Sequence, residues 1–126
     1  MIYGDASGQH LQTSGSTDYA IITAYLRGRG YPHTRRVPRA NPAVRDRVSL
    51  MNSMLESADG GVRLFVNPRC KELIKDLEQV VYLPDTTMID KQRDPRRTHL
   101  SDALGYLLWQ ECRPRTDVGQ KRGRLF

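Results

Sequence analysis

The sequence predicts a single α/β domain of 126 residues, with about three strands and four helices. Short apolar segments bounded by turn residues alternate with longer segments whose apolar residues recur at helical spacing. Neither an internal repeat nor a heptad array is present. Strands that alternate with helices indicate an open α/β sheet, in which functional sites gather beyond the carboxyl ends of the strands.

The predicted strands are short. The first begins at Ile2 and ends in Asp5, which is followed by small residues. The second spans residues 34–39 and is irregular or at an edge, because a proline cannot donate to a sheet ladder. Residues 62–66, Val-Arg-Leu-Phe-Val, form the clearest strand pattern. A short hairpin is predicted around residues 86–89.

The first two helices have recognisable starts. The first runs from an N-cap at Ser16 or Thr17 to about Arg29, and the second begins with Asn41 as N-cap and Pro42 in the first turn. We expect the inward side chains to be Tyr19, Ile22, Tyr25 and Leu26 on the first helix, and Val44, Val48, Met51 and Leu55 on the second.

The last two helices differ in character. The third spans about residues 69–81, and its charged side chains, Asp76 among them, are predicted to form a solvated face. The fourth begins at the N-cap Thr98 and ends at Cys112. Its core side is predicted to be Leu100, Ala103, Leu104, Leu107 and Leu108, and a second stripe consists of His99, Asp102, Tyr106 and Trp109.

The composition favours a polyanionic partner. Twenty Lys and Arg residues oppose fourteen Asp and Glu residues, so the net charge is +6, and nucleic acid is the leading candidate. Residues 113–126 are predicted to be a basic, flexible tail. No apolar run reaches membrane-spanning length and no signal-peptide pattern is present, so we expect an intracellular protein with no membrane partner.

Two acids could share a metal ion. Asp5 follows a strand, and Asp102 in the first turn of the last helix could approach the same place. The helix dipole alone also favours an acid at the position of Asp102. Cys70 and Cys112 lack the spacing of a zinc site, and carboxylate oxygens favour Mg²⁺ or Mn²⁺. Two carboxylates with such ions suit phosphodiester cleavage.

Five blocks, in this order, carry a family resemblance. They are Tyr-Gly-Asp-Ala-Ser-Gly at residues 3–8, Asn-Pro-Ala-Val-Arg-Asp-Arg-Val at 41–48 with Asn52, Asn-Pro-Arg-Cys-Lys-Glu-Leu-Ile at 67–74, Ile-Asp-Lys at 89–91, and His-Leu-Ser-Asp-Ala-Leu-Gly-Tyr at 99–106. Together they resemble the C-terminal nuclease domain of the terminase large subunits of tailed bacteriophages.

The resemblance implies a partial RNase H-like fold, in which residues 1–112 are the C-terminal part of the nuclease domain. The family's first acid lies on an opening strand upstream of the matched blocks, and its ATPase motifs are missing here. We therefore expect the back half of a nuclease domain. An open sheet edge would favour pairing with a second copy.

The resemblance also implies site residues. Asp5 and Asp102 match two of the family's three metal-binding, catalytic acids, which implies Mg²⁺ or Mn²⁺ as cofactor. Asp90, Lys91 and His99 match recurring positions, which implies supporting roles: they orient a ligand, contact DNA phosphate or anchor the structure. Arg45 and Arg47 resemble an Arg-Asp-Arg helix, where they contact DNA or form a salt bridge with the intervening acid.

Two functions follow as expectations. The first is metal-dependent endonucleolytic cleavage of concatemeric viral DNA during genome packaging. Because only two of the family's three acids are matched, the isolated chain is expected to be either active or inactive in this cleavage. The alternative is a remnant without catalysis that binds double-stranded DNA or the phage portal. The resemblance further implies the small terminase subunit as a partner and the bacterial host cytoplasm as location.

Overall fold

A computed structural model describes residues 1–92, 94 and 96–114, and these form a mixed α/β fold with four helices and a parallel sheet of two strands. The predicted α/β class is therefore confirmed. A short 3₁₀ helix, Ser7–Gln9, follows the first strand. The elements are β1 Ile2–Tyr3, α1 Asp18–Gly28, β2 Arg35–Arg36, α2 Val44–Leu55, α3 Lys71–Gln79 and α4 His99–Cys112.

The sheet has two short strands, and Asp5 follows the first of them. β1 and β2 are parallel, with Ile2 opposite Arg35 and Tyr3 opposite Arg36. Parallel strands require a crossover, and α1 provides it. Asp5 leaves β1 at its carboxyl end, where sites in α/β sheets are commonly built.

The predicted third strand, residues 62–66, is wrong. The segment has no regular secondary structure. The amides of Arg63 and Leu64 both donate to the carbonyl of Met54, each at 2.8 Å, and Phe65 is 81% exposed. A strand exists only as part of a hydrogen-bonded ladder. Among the described residues no strand pairs with this segment, so its β-type pattern is not realised.

Helix α1 starts as predicted but buries less. The Thr17 hydroxyl oxygen accepts a hydrogen bond from the amide of Ala20 at 3.1 Å, which confirms it as N-cap. Tyr19 is buried. The expected burial of Ile22 and Tyr25 is wrong, because α1 packs through Tyr19 against the 3₁₀ segment and leaves both of these side chains exposed.

Helix α2 begins two residues later than its capping pattern predicts. Its N-cap is Ala43, which has no side-chain capping bond. The predicted N-cap, Asn41, instead accepts a hydrogen bond through Oδ1 from the amide of Ala6 at 2.6 Å. Asn41 therefore ties the start of α2 to the segment that follows β1.

Helix α4 buries only part of the predicted core side, because Leu108 is buried as predicted but other members of that side are not. Its buried residues are Ser101, Gly105 and Leu108, whereas Leu100 and Leu107 are exposed. Both α2 and α3 pack against α4. Small residues allow helices to approach closely, and this approach selects the face with Ser101 and Gly105 over the more apolar one.

The prediction that Asp76 lies on a solvated face is wrong, because it is 1% exposed. Its Oδ2 accepts hydrogen bonds from the amides of Leu100 at 3.0 Å and Ser101 at 3.2 Å, and Arg97 Nη1 lies 3.4 Å from its Oδ1. Thr98 is the N-cap as predicted but makes no side-chain capping bond. Asp76 therefore caps α4 from α3.

A hairpin precedes α4, as predicted. Tyr82 and Ile89 form an antiparallel bridge, and the amide of Leu83 donates to the carbonyl of Met88 at 2.8 Å. The hairpin brings Lys91 to the start of α4. The predicted tail, residues 113–126, lies outside the described residues from residue 115 onward.

Candidate functional site

Asp102 is held by a buried arginine from α2. Arg47 Nη1 donates to Asp102 Oδ1 at 3.1 Å and to the backbone carbonyl of Asp102 at 3.4 Å. The two side chains are 6% and 24% exposed, respectively. The Arg47 guanidinium also lies 4.2 Å from the centre of the Tyr106 ring. One arginine thus fixes the carboxylate, the first turn of α4 and the aromatic ring.

Gly105 makes this approach possible. A Cβ atom at this position would lie 3.0 Å from Arg47 Nη1, closer than ordinary packing allows. Glycine in the interior of a helix is disfavoured by about 1 kcal/mol relative to alanine. The sequence therefore tolerates a weaker helix where Arg47 crosses α4 to reach Asp102.

The second oxygen of Asp102 faces a different cation. Lys91 Nζ lies 3.6 Å from Asp102 Oδ2, and the Lys91 side chain is 66% exposed. Asp102 therefore has one oxygen toward a buried guanidinium and one toward a solvated ammonium. The side that faces Lys91 is the accessible side of the carboxylate.

Asp5 lies in a segment that several hydrogen bonds hold in place. Asp5 Oδ1 accepts from the amide of Gly8 at 3.2 Å, and the hydroxyl of Tyr19 donates to the Asp5 carbonyl at 2.8 Å. The next amide, that of Ala6, donates to Asn41. These bonds come from α1, from the 3₁₀ helix and from the start of α2, so the position of Asp5 depends on all three.

Tyr106 connects the two acids electrostatically. Burial raises the pKa of Tyr106, Arg47 lowers it, and the negative charges of Asp5 and Asp102 both raise it. Asp5 also raises the pKa of Tyr19, although burial is the larger cause there. The carboxylates of Asp5 and Asp102 therefore raise the pKa of the same phenol.

An open groove of about 510 Å³ lies beside Asp102. Arg45, on α2, and Lys91 are among the side chains that line it, and both are exposed. A second groove of about 250 Å³ lies between α2, α3 and α4, with an apolar floor formed by Val48, Met51, Leu55, Leu77 and Ile89. Arg47 and Asp102 line both grooves.

The two predicted acids carry oxygen donors of the kind that a hard cation prefers. Mg²⁺ keeps several waters and is commonly bound through one or two carboxylates together with substrate phosphates. Asp102 is the acid that lines the open groove, and Arg45, Arg47 and Lys91 are the charged side chains around it there. Among the described residues, no group of three or more His, Cys, Asp or Glu side chains is arranged to hold a metal ion.

The predicted DNA-contacting residues fall into two groups. Arg45, Lys91 and His99 are exposed, and Arg45 Nε lies 3.6 Å from Asp46 Oδ1. Arg47 is instead buried in the interface with α4, where it pairs with Asp102.

Sequence reasoning overlooked Gly105 as part of the site, although a glycine inside an otherwise regular helical pattern is a usable signal of close approach. It also gave no role to Tyr106 beyond its place in the second stripe of α4. No comparable pattern identifies Asp76 as the cap of α4, because its two amide partners are distant in the sequence.

Comparisons with protein-family models, with curated proteins and with solved structures find no match for this chain. Across the described ranges, no helix combines the length and the apolar character that crossing a membrane requires. Function is therefore inferred from the site geometry together with the sequence resemblance.

Proposed function

We propose that this chain is part of a terminase-type nuclease domain with an RNase H-like fold, and that it cleaves double-stranded DNA with Mg²⁺ or Mn²⁺. The observation that carries the proposal is that the two acids lie on neighbouring elements, because α4 packs on β1. One acid follows a parallel strand and the other lies in the first turn of the helix that packs on that strand. The terminase part of the proposal rests on the resemblance of the five ordered sequence blocks.

Each residue has a distinct role in this proposal. Asp5 and Asp102 hold the cation through their carboxylate oxygens. Arg47 is a positioning residue, because it fixes one oxygen of Asp102 and leaves the other facing the exposed Lys91. When bound, a divalent ion supplies an activated water and stabilises the leaving oxygen of the phosphodiester.

The open groove beside Asp102 is the proposed path of the DNA backbone. Arg45 and Lys91 offer positive charge there, and His99 is exposed at the start of α4. Phosphate contacts position DNA without reading its sequence. The portal and the small terminase subunit are the protein partners that the resemblance adds to this proposal.

Nicking of supercoiled plasmid DNA in Mn²⁺ tests the proposal. We expect the wild-type chain to convert supercoiled plasmid to open circles, and Asp5→Asn and Asp102→Asn to abolish this conversion. Asp18→Asn is a matched control, because Asp18 is an exposed acid in the first turn of α1. Nicking that survives Asp102→Asn, or that Asp18→Asn also abolishes, would contradict the assignment.

Binding of DNA without cleavage is the second candidate function, and the net charge of +6 favours it. In that case the wild-type chain binds duplex DNA without nicking it, and this binding is unchanged in Asp5→Asn and in Asp102→Asn. Affinity for duplex DNA should then fall steeply with salt, because bound basic residues displace counterions from the phosphates. Arg45→Met should weaken retention and reduce this salt dependence.

A further inference from the structure

We infer that Lys91 is a built-in competitor for the metal ion: its ammonium pairs with the accessible oxygen of Asp102 and must leave when a divalent cation binds there. The inference rests on the proposed function, since it assumes that Asp102 is a metal ligand. It gives Lys91 a role beyond contact with DNA phosphate, because the same side chain would stabilise the metal-free site and be released on loading.

This inference rests on a difference between the two cationic side chains that contact Asp102: Arg47 is buried, whereas Lys91 is exposed. Arg47 is buried, contacts both the carboxylate and the backbone of Asp102, and packs over Tyr106. Its removal would leave Asp102 without its buried partner. The ammonium of Lys91 lies 3.6 Å from Asp102, and its side chain is 66% exposed. Exposed pairs of this kind are weak and easily exchanged.

Release of Lys91 has a consequence for the substrate. Once its ammonium leaves Asp102, Lys91 remains on the wall of the open groove, where a DNA phosphate would lie. The same positive charge can therefore neutralise Asp102 before loading and a phosphate afterwards. Lysine suits such an exchange, since its ammonium is a compact point charge on a flexible stem.

Titration of the full chain with Mn²⁺ alone, at fixed ionic strength, measures the competition. We expect Lys91→Met to lower the Kd for Mn²⁺ by roughly two- to fivefold, the range an exposed ion pair supports. Lys91→Arg keeps the charge and should stay within about twofold of the wild type. An unchanged or weaker affinity in Lys91→Met would overturn the inference.

A matched control separates competition from general electrostatics. Arg45 lines the same groove and is also exposed, but it forms an ion pair with Asp46. Arg45→Met removes the same charge, and we expect it to leave the Kd within about twofold of the wild type. If it tightens Mn²⁺ binding as much as Lys91→Met does, Lys91 is no specific competitor.

Asp102→Asn distinguishes failure of the inference from failure of the proposed function. If this variant binds Mn²⁺ as the wild type does, the metal site of the proposed function is wrong. If it abolishes binding while Lys91→Met matches the wild type, only the competition is wrong. Absence of Mn²⁺ binding in every variant would overturn both, whereas binding in Lys91→Met alone supports the competition.

Chemical labelling gives a readout that does not depend on affinity. Acetylation of Lys91, followed by peptide mass spectrometry, should rise when Mg²⁺ is added to the wild-type chain. Lys75 is the internal control, because it pairs with a different acid, Glu72, at 2.8 Å. In Asp102→Asn, labelling of Lys91 should be high already and insensitive to Mg²⁺. Labelling of wild-type Lys91 that ignores saturating Mg²⁺ would contradict release.

Discussion

Arg47 Nη1 and Asp102 Oδ1 lie 3.1 Å apart and join the middle of the chain to its last helix. The pair is fifty-five residues apart in the sequence and has a buried cation as one member. Buried charges are costly unless they are paired. The interaction therefore positions a candidate metal ligand and also constrains how α2 packs on α4.

Replacement of Arg47 should destabilise the fold. Arg47→Met keeps an apolar stem but removes the buried guanidinium, so we expect the free energy of unfolding to fall by about 2 to 3 kcal/mol. Urea denaturation followed by circular dichroism measures it. Arg45→Met on the exposed side of the same helix should change it by less than about 0.5 kcal/mol.

The double variant Arg47→Met, Asp102→Asn tests the cause. When both charges are absent, neither remains buried without a partner, and part of the lost stability should return. Strictly additive losses from the two substitutions would show that the two side chains do not interact.

Removal of the cap of α4 should have a comparable effect. Asp76→Ala deletes the acceptor for the amides of Leu100 and Ser101 and a partner of Arg97. We expect a loss of about 2 to 3 kcal/mol, because a helix cap and a buried charged hydrogen bond disappear together. Denaturant unfolding measures it, with Glu78→Ala, an exposed acid of α3, as control. Equal effects would contradict the capping role.

The tyrosine pKa values should report the position of each acid separately. Loss of a negative charge favours the phenolate, so Asp102→Asn should lower the pKa of Tyr106 and leave that of Tyr19 unchanged. Asp5→Asn should lower the pKa of both phenols, because Asp5 raises both. Carbon NMR of labelled tyrosine, assigned with Tyr106→Phe and Tyr19→Phe, measures the titrations.

The pattern of these shifts matters more than their size. A response of Tyr106 to Asp102→Asn but not to Asp5→Asn would show that the two carboxylates do not share a neighbourhood, which removes the basis of the proposed site. Addition of Mg²⁺ should lower the pKa of Tyr106 in the wild-type chain, because a bound cation opposes the two negative charges.

Local chemistry determined the parts of this fold that the sequence predicted well. Helical periodicity and caps such as Thr17 act within one turn, so the four helices could be located from the sequence. The acid after β1 and the acid in the first turn of α4 could be located for the same reason. The alternation of strands and helices was enough to predict the α/β class.

Tertiary structure decided which faces are buried and which charges are paired. Residues 62–66 have the residue types of a strand but no strand to pair with among the described residues. On α4, Ser101 is buried and the apolar Leu100 is exposed, because α2 and α3 pack against the small residues of this helix. From the sequence, Asp76 and Arg47 resemble surface charges. In the structure both are buried, and their partners are groups of α4. Burial depends on contacts between residues distant in the sequence, and local spacing carries no information about them.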